Sequence, residues 1–270
     1  LFKNFKLIYP FALLFRTYGE ASKNPEIKEQ AAKLNVKIKE VKSMPLRNAK
    51  GSNPYYANVM VKLRIFQLFE YDRIIFMDSD MMIRQNLDHL FYTLPKDVHL
   101  AASRVTDTQK IDSRVFCSCF IVLTPTTKIW DRIMAYYKQN DGGYLKENLL
   151  DMDLLNKEFG SDVILLPGTY AMLTSIWEDK MDQRSPQETN EMYQQLVGKP
   201  TNVTTKDAIY EEAKVLHFTP NKPMVEKKLE NIKQHKPRAY PQYYRTFEEY
   251  FSLSRYVCPF IRDSPSINNK

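Results

Sequence analysis

Two aspartates one residue apart, Asp78 and Asp80, close the apolar run Ile74-Ile75-Phe76-Met77 in the stretch YDRIIFMDSDMMIRQNLDHLF. Asp is a poor strand residue, and desolvating carboxylates is costly, so two of them at a strand's end call for a compensating charge. On a strand, residues i and i+2 point the same way, about 6.6 Å apart along the chain, and their side chains can converge on one ion. Oxygen ligands of this kind suit Mg2+ or Mn2+. Such an ion, with open coordination positions, seats a pyrophosphate and neutralises charge as a phosphate ester leaves. A second cluster lies in AKVLHFTPNKPM, where a strand-like run ends in His217 and Lys222 follows five residues on. Imidazole is a ligand for Mn2+-class ions, and the lysine ammonium is a point charge for phosphate. Either piece alone has a structural reading, a solvated turn or a packed histidine. Together, each at the end of a strand, they favour a metal and phosphate site.

A rival chemistry uses similar residues. Haloacid-dehalogenase-type phosphatases also place Asp-x-Asp after an apolar strand, the first as nucleophile and the second as general acid. Their pattern continues with Gly and then Thr or Val, whereas this chain continues Met81-Met82. With both aspartates given to a metal, they are not read as a glycosidase acid/base pair either.

The elements that must hold these residues read as an α/β layered fold. Strand-like runs fall at Phe5–Tyr9, Asn35–Val41, Arg73–Asp78 (buried on both faces), Val98–Ala102, Phe116–Leu123, Val163–Leu166 and Lys214–Phe218. Helical spacing marks Tyr56–Phe69, through Val59, Met60, Leu63, Phe66 and Phe69, and helices are also read at Pro125–Gln139 and Asn148–Phe159. Asn24-Pro25 opens another helix, running to about Leu34. Alternation of this kind predicts a mostly parallel central sheet with flanking helices, and ligands of such sheets bind beyond the strands' carboxyl ends. Residues 178–207 are polar and weakly patterned, and read as an insertion or a lid.

At 270 residues and 43% hydrophobic, the chain can bury a large core. A net charge of +7 admits anionic ligands. Its densest basic part, Lys222 to Arg238, reads as a solvated helix face and tail. The aromatic residues lie at core positions rather than interleaved with a basic stripe, which argues against nucleic-acid binding. Cys117 and Cys119, two apart on a strand, share one face, and neither is expected to reach the other easily. A bridge from either to Cys258 stays open, while a disulfide framework or zinc site is not expected. Asn202-Val203-Thr204 is a glycosylation sequon. No apolar run reaches roughly 18 residues, so no segment is read as spanning a bilayer.

The ordered motifs resemble glycosyltransferase family 8, the glycogenin-like group. VKLRIFQLFEYDRIIFMDSDMMIRQNLDHLF is similar to that family's core, FCSCFIVLTPTTKIWDRI to its next strand and helix, LLDMDLLNKEF to its Asp-x-Asp-x-Leu-Asn helix start, and VLHFTPNKPM to its closing motif. The resemblance spans roughly Lys62 to Met224, and LLPGTYAMLTSIW with DMDLLN resembles the fungal N-acetylglucosaminyltransferases that modify mannan-type glycans. It implies a GT-A fold, a UDP-sugar donor, Mn2+ (or Mg2+), and retention of anomeric configuration. It further implies that Asp78, Asp80 and His217 hold the metal, that Lys222 binds the diphosphate, and that Lys62, Ser118 and Asp78 contribute to the donor site. Asp151 is implied near the transferred sugar as the candidate catalytic residue. On their own, Lys62 equally suits a solvated helix position and Asp151 a helix N-cap.

The chain departs from the family at Cys117-Ser118-Cys119, where relatives carry Asn-Ser/Ala-Gly, and at Met152, where they carry Gln. It also lacks the usual Gly and Trp around Pro220 and Met224. The chain starts at Leu1 without methionine, and an N-terminal piece, with the strand that cradles uracil in relatives, is expected to be missing. The expected organisation is a catalytic domain over 1–224 and a basic, aromatic extension over 225–270. The expected activity is transfer of GlcNAc or glucose from a UDP-sugar to a glycan or glycoprotein hydroxyl, in the Golgi lumen through an anchor not in this chain, or alternatively in the cytoplasm. A catalytically impaired UDP-sugar- and Mn2+-binding protein, or a truncated fragment, is the alternative.

Overall fold

The computed structural model describes residues 12–16, 23–42, 44, 59–105, 115–139, 150–179, 186–198, 205–219, 221–226 and 228–257. The strand expected at Phe5–Tyr9, the Asn202 sequon and Cys258 lie outside them. The described chain forms two compact units. One takes the residues up to Met77, Asn86–Arg104 and 115 to Leu166; the other takes Asp78–Gln85 and the residues from Pro167 onward.

In the first unit, β1 (Ala12–Arg16) pairs in parallel with β2 (Lys37–Val41), and α1 (Pro25–Lys33) makes the crossover. The Asn24 carboxamide oxygen caps α1 by accepting from the Glu26 amide at 2.8 Å, with Pro25 in the first turn. At the other end Asn35 takes φ 53°, so the Asn35 and Val36 amides fold back onto the Ala32 and Ala31 carbonyls at 3.0 and 2.7 Å.

The helix expected over Tyr56–Phe69 is a 3₁₀ helix over Val59–Gln67. Its buried Met60, Leu63 and Phe66 recur every third residue, and three residues per turn put all three on one face. Next come β3 (Ile74–Met77) and, later in this unit, α2 (His89–Tyr92), β5 (Leu100–Arg104) and β6 (Phe116–Leu123). The unit closes with α3 (Thr127–Gln139), α4 (Asp151–Phe159) and β7 (Ile164–Leu166). β3 is half-buried along its length rather than buried on both faces.

The four-stranded sheet has the order β3-β6-β5-β7. β6 runs antiparallel to both its neighbours, and only β5 and β7 pair in parallel. The expected mostly parallel sheet is therefore mixed. β3, β5 and β7 do share a direction, but the reversed β6 is inserted among them, which turns two of three pairings antiparallel. The core beneath joins Leu63 and Phe66 of the 3₁₀ helix to Ile129 and Ile133 of α3 and Leu154, Leu155 and Phe159 of α4, with Phe66 and Phe159 stacked at 6.5 Å.

The second unit holds a three-stranded sheet, order β4-β9-β8, from β4 (Met81–Ile83), β8 (Met172–Leu173) and β9 (Val215–His217). Helices α5 (Pro186–Val197), α6 (Lys206–Glu212), α7 (Pro223–Glu226), α8 (Leu229–His235) and α9 (Pro241–Val257) complete it. The insertion or lid read at 178–207 is corrected in its described part. α5 buries Met192, Tyr193, Leu196 and Val197, an i, i+1, i+4, i+5 face, in the same core as Trp177, Tyr210, Phe218, Tyr243 and Phe247. Trp177 packs edge-on to Tyr210 at 5.2 Å and donates its indole N–H to the Lys206 carbonyl at 3.1 Å. Arg84, just past β4, is held by Glu249 of α9 at 2.9 Å and lies 4.2 Å from the Tyr210 ring centre.

Candidate active site

Within the second unit, β4 begins one residue after Asp80, and its Met81 is the register partner of His217 on β9. The Phe218 amide donates to the Asp80 carbonyl at 2.9 Å, which extends this ladder by one rung and fixes Asp80 beside His217. One carboxylate oxygen of Asp80 lies 3.2 Å from His217 Nε2, and the other accepts from the Lys222 ammonium. Asp78, Asp80 and His217 each offer a ligand atom, all within 4.8 Å of one another.

Burial alone would raise the Asp80 carboxyl, but hydrogen bonds and charge from His217 and Lys222 outweigh it and hold the group well below the usual carboxylate range. Asp80 is thus a committed anion with a protein cation already on it. His217 Nδ1 is buried and has no hydrogen-bond partner among the described residues.

The segment that carries Lys222 is anchored twice. Thr174 Oγ1 donates to the Thr219 carbonyl at 3.0 Å and accepts from the Thr219 amide at 3.1 Å. Asn221 donates to the Tyr243 hydroxyl at 2.9 Å. Lys222 Nζ also donates back to the Phe218 carbonyl. Sequence reasoning passed over Thr174 and Tyr243, whose positions carry no local signal because their partners are 45 and 22 residues away.

The first unit assembles a separate polar cluster. Lys62, on the 3₁₀ helix, pairs with Asp151 Oδ2 at 2.9 Å, and the Ser118 hydroxyl donates to the same oxygen at 2.5 Å. Asp151 is only 4% exposed. A carboxylate so far out of water needs both partners. Lys62 also stands 5.7 Å from the centre of the Phe76 ring, on β3. Asp151 is the first residue of α4, not its N-cap, which is Leu150. Asp153 accepts from the Leu150 amide at 3.0 Å instead. Asp151 therefore gains the helix N-terminal dipole while its side chain is free to meet Ser118 and Lys62.

Asn156 is the residue here that sequence reasoning overlooked. Its side chain accepts from the Phe116 amide at 2.9 Å and donates to the Phe116 carbonyl at 2.8 Å, locking α4 to the start of β6. A polar residue between the buried Leu155 and Phe159 was the available signal.

One expectation is overturned in this cluster: Cys117 and Cys119 form a disulfide with each other. The regular register would oppose Arg104 to Cys119, because Ala102 faces Ile121, but Arg104 faces Phe116. β6 thus carries three extra residues at this point, and the Cys117 and Cys119 Cα atoms close to 5.2 Å, against about 6.6 Å on an extended strand.

A family model for glycosyl transferase family 8 matches residues 14–224 of this chain, a span that includes Asp78, Asp80, His217 and Lys222. The chain belongs to that family. Curated relatives include proteins named glucose N-acetyltransferase 1 from Aspergillus fumigatus, 27% identical over 63% of this chain and 42% of its own length, and from Gibberella zeae, 27% identical over 50% and 29%. The chain thus spans less than half the length of these relatives. Galactinol synthase 1 of Solanum lycopersicum is 25% identical over 47% of this chain and 43% of its own. Among solved structures, an active-site mutant of LgtC superposes over 91% of this chain and 96% of its own with a TM-score of 0.51 at 12% identity. The bifunctional glycosyltransferase WbbM does so over 90% and 52%, with a TM-score of 0.53 at 17% identity. At these identities the likeness establishes the fold, GT-A.

Proposed function

We propose that this family-8 chain transfers a sugar, N-acetylglucosamine or glucose, from a UDP-sugar to a hydroxyl of a glycan or glycoprotein, with retained configuration and dependence on Mn2+ or Mg2+. The convergence of Asp78, Asp80 and His217 within 4.8 Å, with Lys222 on Asp80, carries this reading. Three donors of this type suit a hard or borderline divalent ion, and the unpartnered His217 Nδ1 leaves the imidazole with spare ligating capacity. When bound, such an ion supplies positive charge to the departing diphosphate.

The chain's own residues do the rest. Lys222 moves its ammonium from Asp80 to a diphosphate oxygen, which stabilises charge where it develops. In the other cluster, Lys62 and Ser118 hold the Asp151 side chain fixed in direction, as a group beside the sugar's reacting carbon must be. Residues 1–224 form the catalytic domain and 225–270 an extension of it, and the fungal resemblance supports the Golgi lumen as the compartment, with the cytoplasm as the alternative.

The test is UDP release from a panel of UDP-sugars (N-acetylglucosamine, glucose, galactose) with Mn2+ or with EDTA, on the wild-type chain and on Asp80→Ala. Metal-dependent release from one donor, lost in the variant, is the expected result. UDP-sugar binding without release, at any donor and with acceptor present, would instead make the chain a binding protein. Its Met152 and Cys117-Ser118-Cys119 departures favour that second reading.

A further inference from the structure

We infer that the Cys117–Cys119 disulfide is a positioning device for Asp151, the brace that holds Ser118 against its carboxylate. This rests on the reading of Asp151 as a donor-site residue. β6 is fixed on both sides of the three extra residues. Before them, Phe116 is bound through its amide and carbonyl by Asn156 and pairs with Arg104. After them, Phe120 pairs with Met77 of β3. Between these anchors the ladder is broken, and residues 117–119 form a bulge with no regular strand pairing among the described residues to hold its shape.

Ser118 is the apex of that bulge. It is 5% exposed, and its hydroxyl reaches the oxygen of Asp151 that also pairs with Lys62. The bridge joins the residues on either side of Ser118 and so closes the loop at its base. The Cys119 amide adds a contact to Cys117 Sγ at 3.2 Å. A hydroxyl on a closed three-residue loop has little freedom to turn away from its acceptor. With free thiols the three surplus residues are free to take other shapes between the same anchors, which moves Ser118 and leaves Asp151 with Lys62 alone. Cys119 is buried and Cys117 is half-buried, so a small reductant reaches the pair from the Cys117 side.

Reduction by a water-soluble phosphine breaks the S–S bond. Phosphorus supplies two electrons, the sulfurs take up two protons, and the phosphine leaves as its oxide with oxygen from water. Oxidised glutathione reverses this by thiol–disulfide exchange, releasing two molecules of reduced glutathione.

The experiment combines alkylation with iodoacetamide and peptide mapping, hydrogen exchange of the 116–121 peptide, and donor kinetics before reduction, after it, and after reoxidation. Cys117 and Cys119 should alkylate only after phosphine treatment, and the 116–121 peptide should then exchange faster. The kcat should fall by about tenfold, within the range that a misplaced active-site group costs, with donor KM unchanged. Glutathione should restore it, and Cys117→Ala/Cys119→Ala should show the same loss and no response to phosphine. The inference is overturned if both thiols alkylate in unreduced protein, or if reduction leaves exchange and kcat where they were. Absence of turnover in both redox forms, with the exchange change present, would defeat the proposed function and leave the brace standing.

Discussion

Lys222→Met should move two affinities in opposite directions. In the structure Lys222 sits on Asp80 as a built-in counter-cation, with His217 on the other oxygen. On the proposed metal site, a divalent ion entering the Asp78–Asp80–His217 set would displace that ammonium, which would then be available to a diphosphate. A hydrogen bond to a charged group contributes about 1.5–3 kcal/mol when well shielded. Here the lysine side chain is 25% exposed and the aspartate 18%, so water takes over part of the contact once it breaks. After that discount the competition is about 1 kcal/mol, and removing it should tighten Mn2+ binding to nucleotide-free protein roughly fivefold. UDP binding in saturating Mn2+ should weaken by tenfold or more, about 1.4 kcal/mol or above, through loss of the lysine's point charge. Free Mn2+ is followed by its electron paramagnetic resonance signal, and UDP affinity by calorimetry. Mn2+ affinity that stays put or weakens would refute the placeholder role. UDP affinity that does not change would refute the diphosphate role.

Other consequences are as direct. Lys62→Met leaves the buried Asp151 carboxylate with Ser118 alone and should cost about 3–5 kcal/mol in urea unfolding; Lys62→Met/Asp151→Asn should recover most of that stability while turnover stays lost. Asn156→Ala should cost about 1–3 kcal/mol for each unsatisfied Phe116 backbone group, read by the same denaturation and by faster exchange at the Phe116 amide. Arg84→Met, away from the site, breaks a half-buried pair and should lower Tm by about 2–4 °C per kcal/mol lost without changing Mn2+ affinity of the folded protein. Because folding depresses the Asp80 carboxyl, its pairing stabilises the protein fully above about pH 4 and is lost as acid protonates the group. Asp80→Asn should therefore flatten that part of the acid limb of Tm against pH.

The charged residues were legible because each broke a local rule. Asp78 and Asp80 end an apolar strand where Asp fits poorly, and His217 ends another. A sequence that places carboxylates there must compensate them, and the nearest compensation readable along the chain was a metal, an imidazole and Lys222. The start of α1 was legible for the same kind of reason, since Asn24 and Pro25 have cap chemistry that acts within a few residues, whereas Asn35, read as the start of a strand, instead closes the helix at positive φ. The direction of β6 was not. Periodicity reports which face of a strand is buried but not which way it runs, and the connection of β5 to β6 offered no pattern to decide it.

The CSC segment shows where that gap had its largest consequence. Two cysteines at i and i+2 share a face only if the strand keeps its register, and here it slips by three residues between Ala102 and Arg104. The slip is a property of the pairing, visible only when both strands are in hand. It is also what lets Ser118 leave the ladder and meet Asp151. A regular strand would have committed the backbone on both sides of Ser118 to sheet hydrogen bonds and left its hydroxyl in register with its neighbours. The same irregularity therefore accounts for the unexpected disulfide and for the polar contact that the proposed donor site uses. This is why perturbing the bridge should be felt at Asp151 and not in the core formed by Phe66, Leu154 and Phe159.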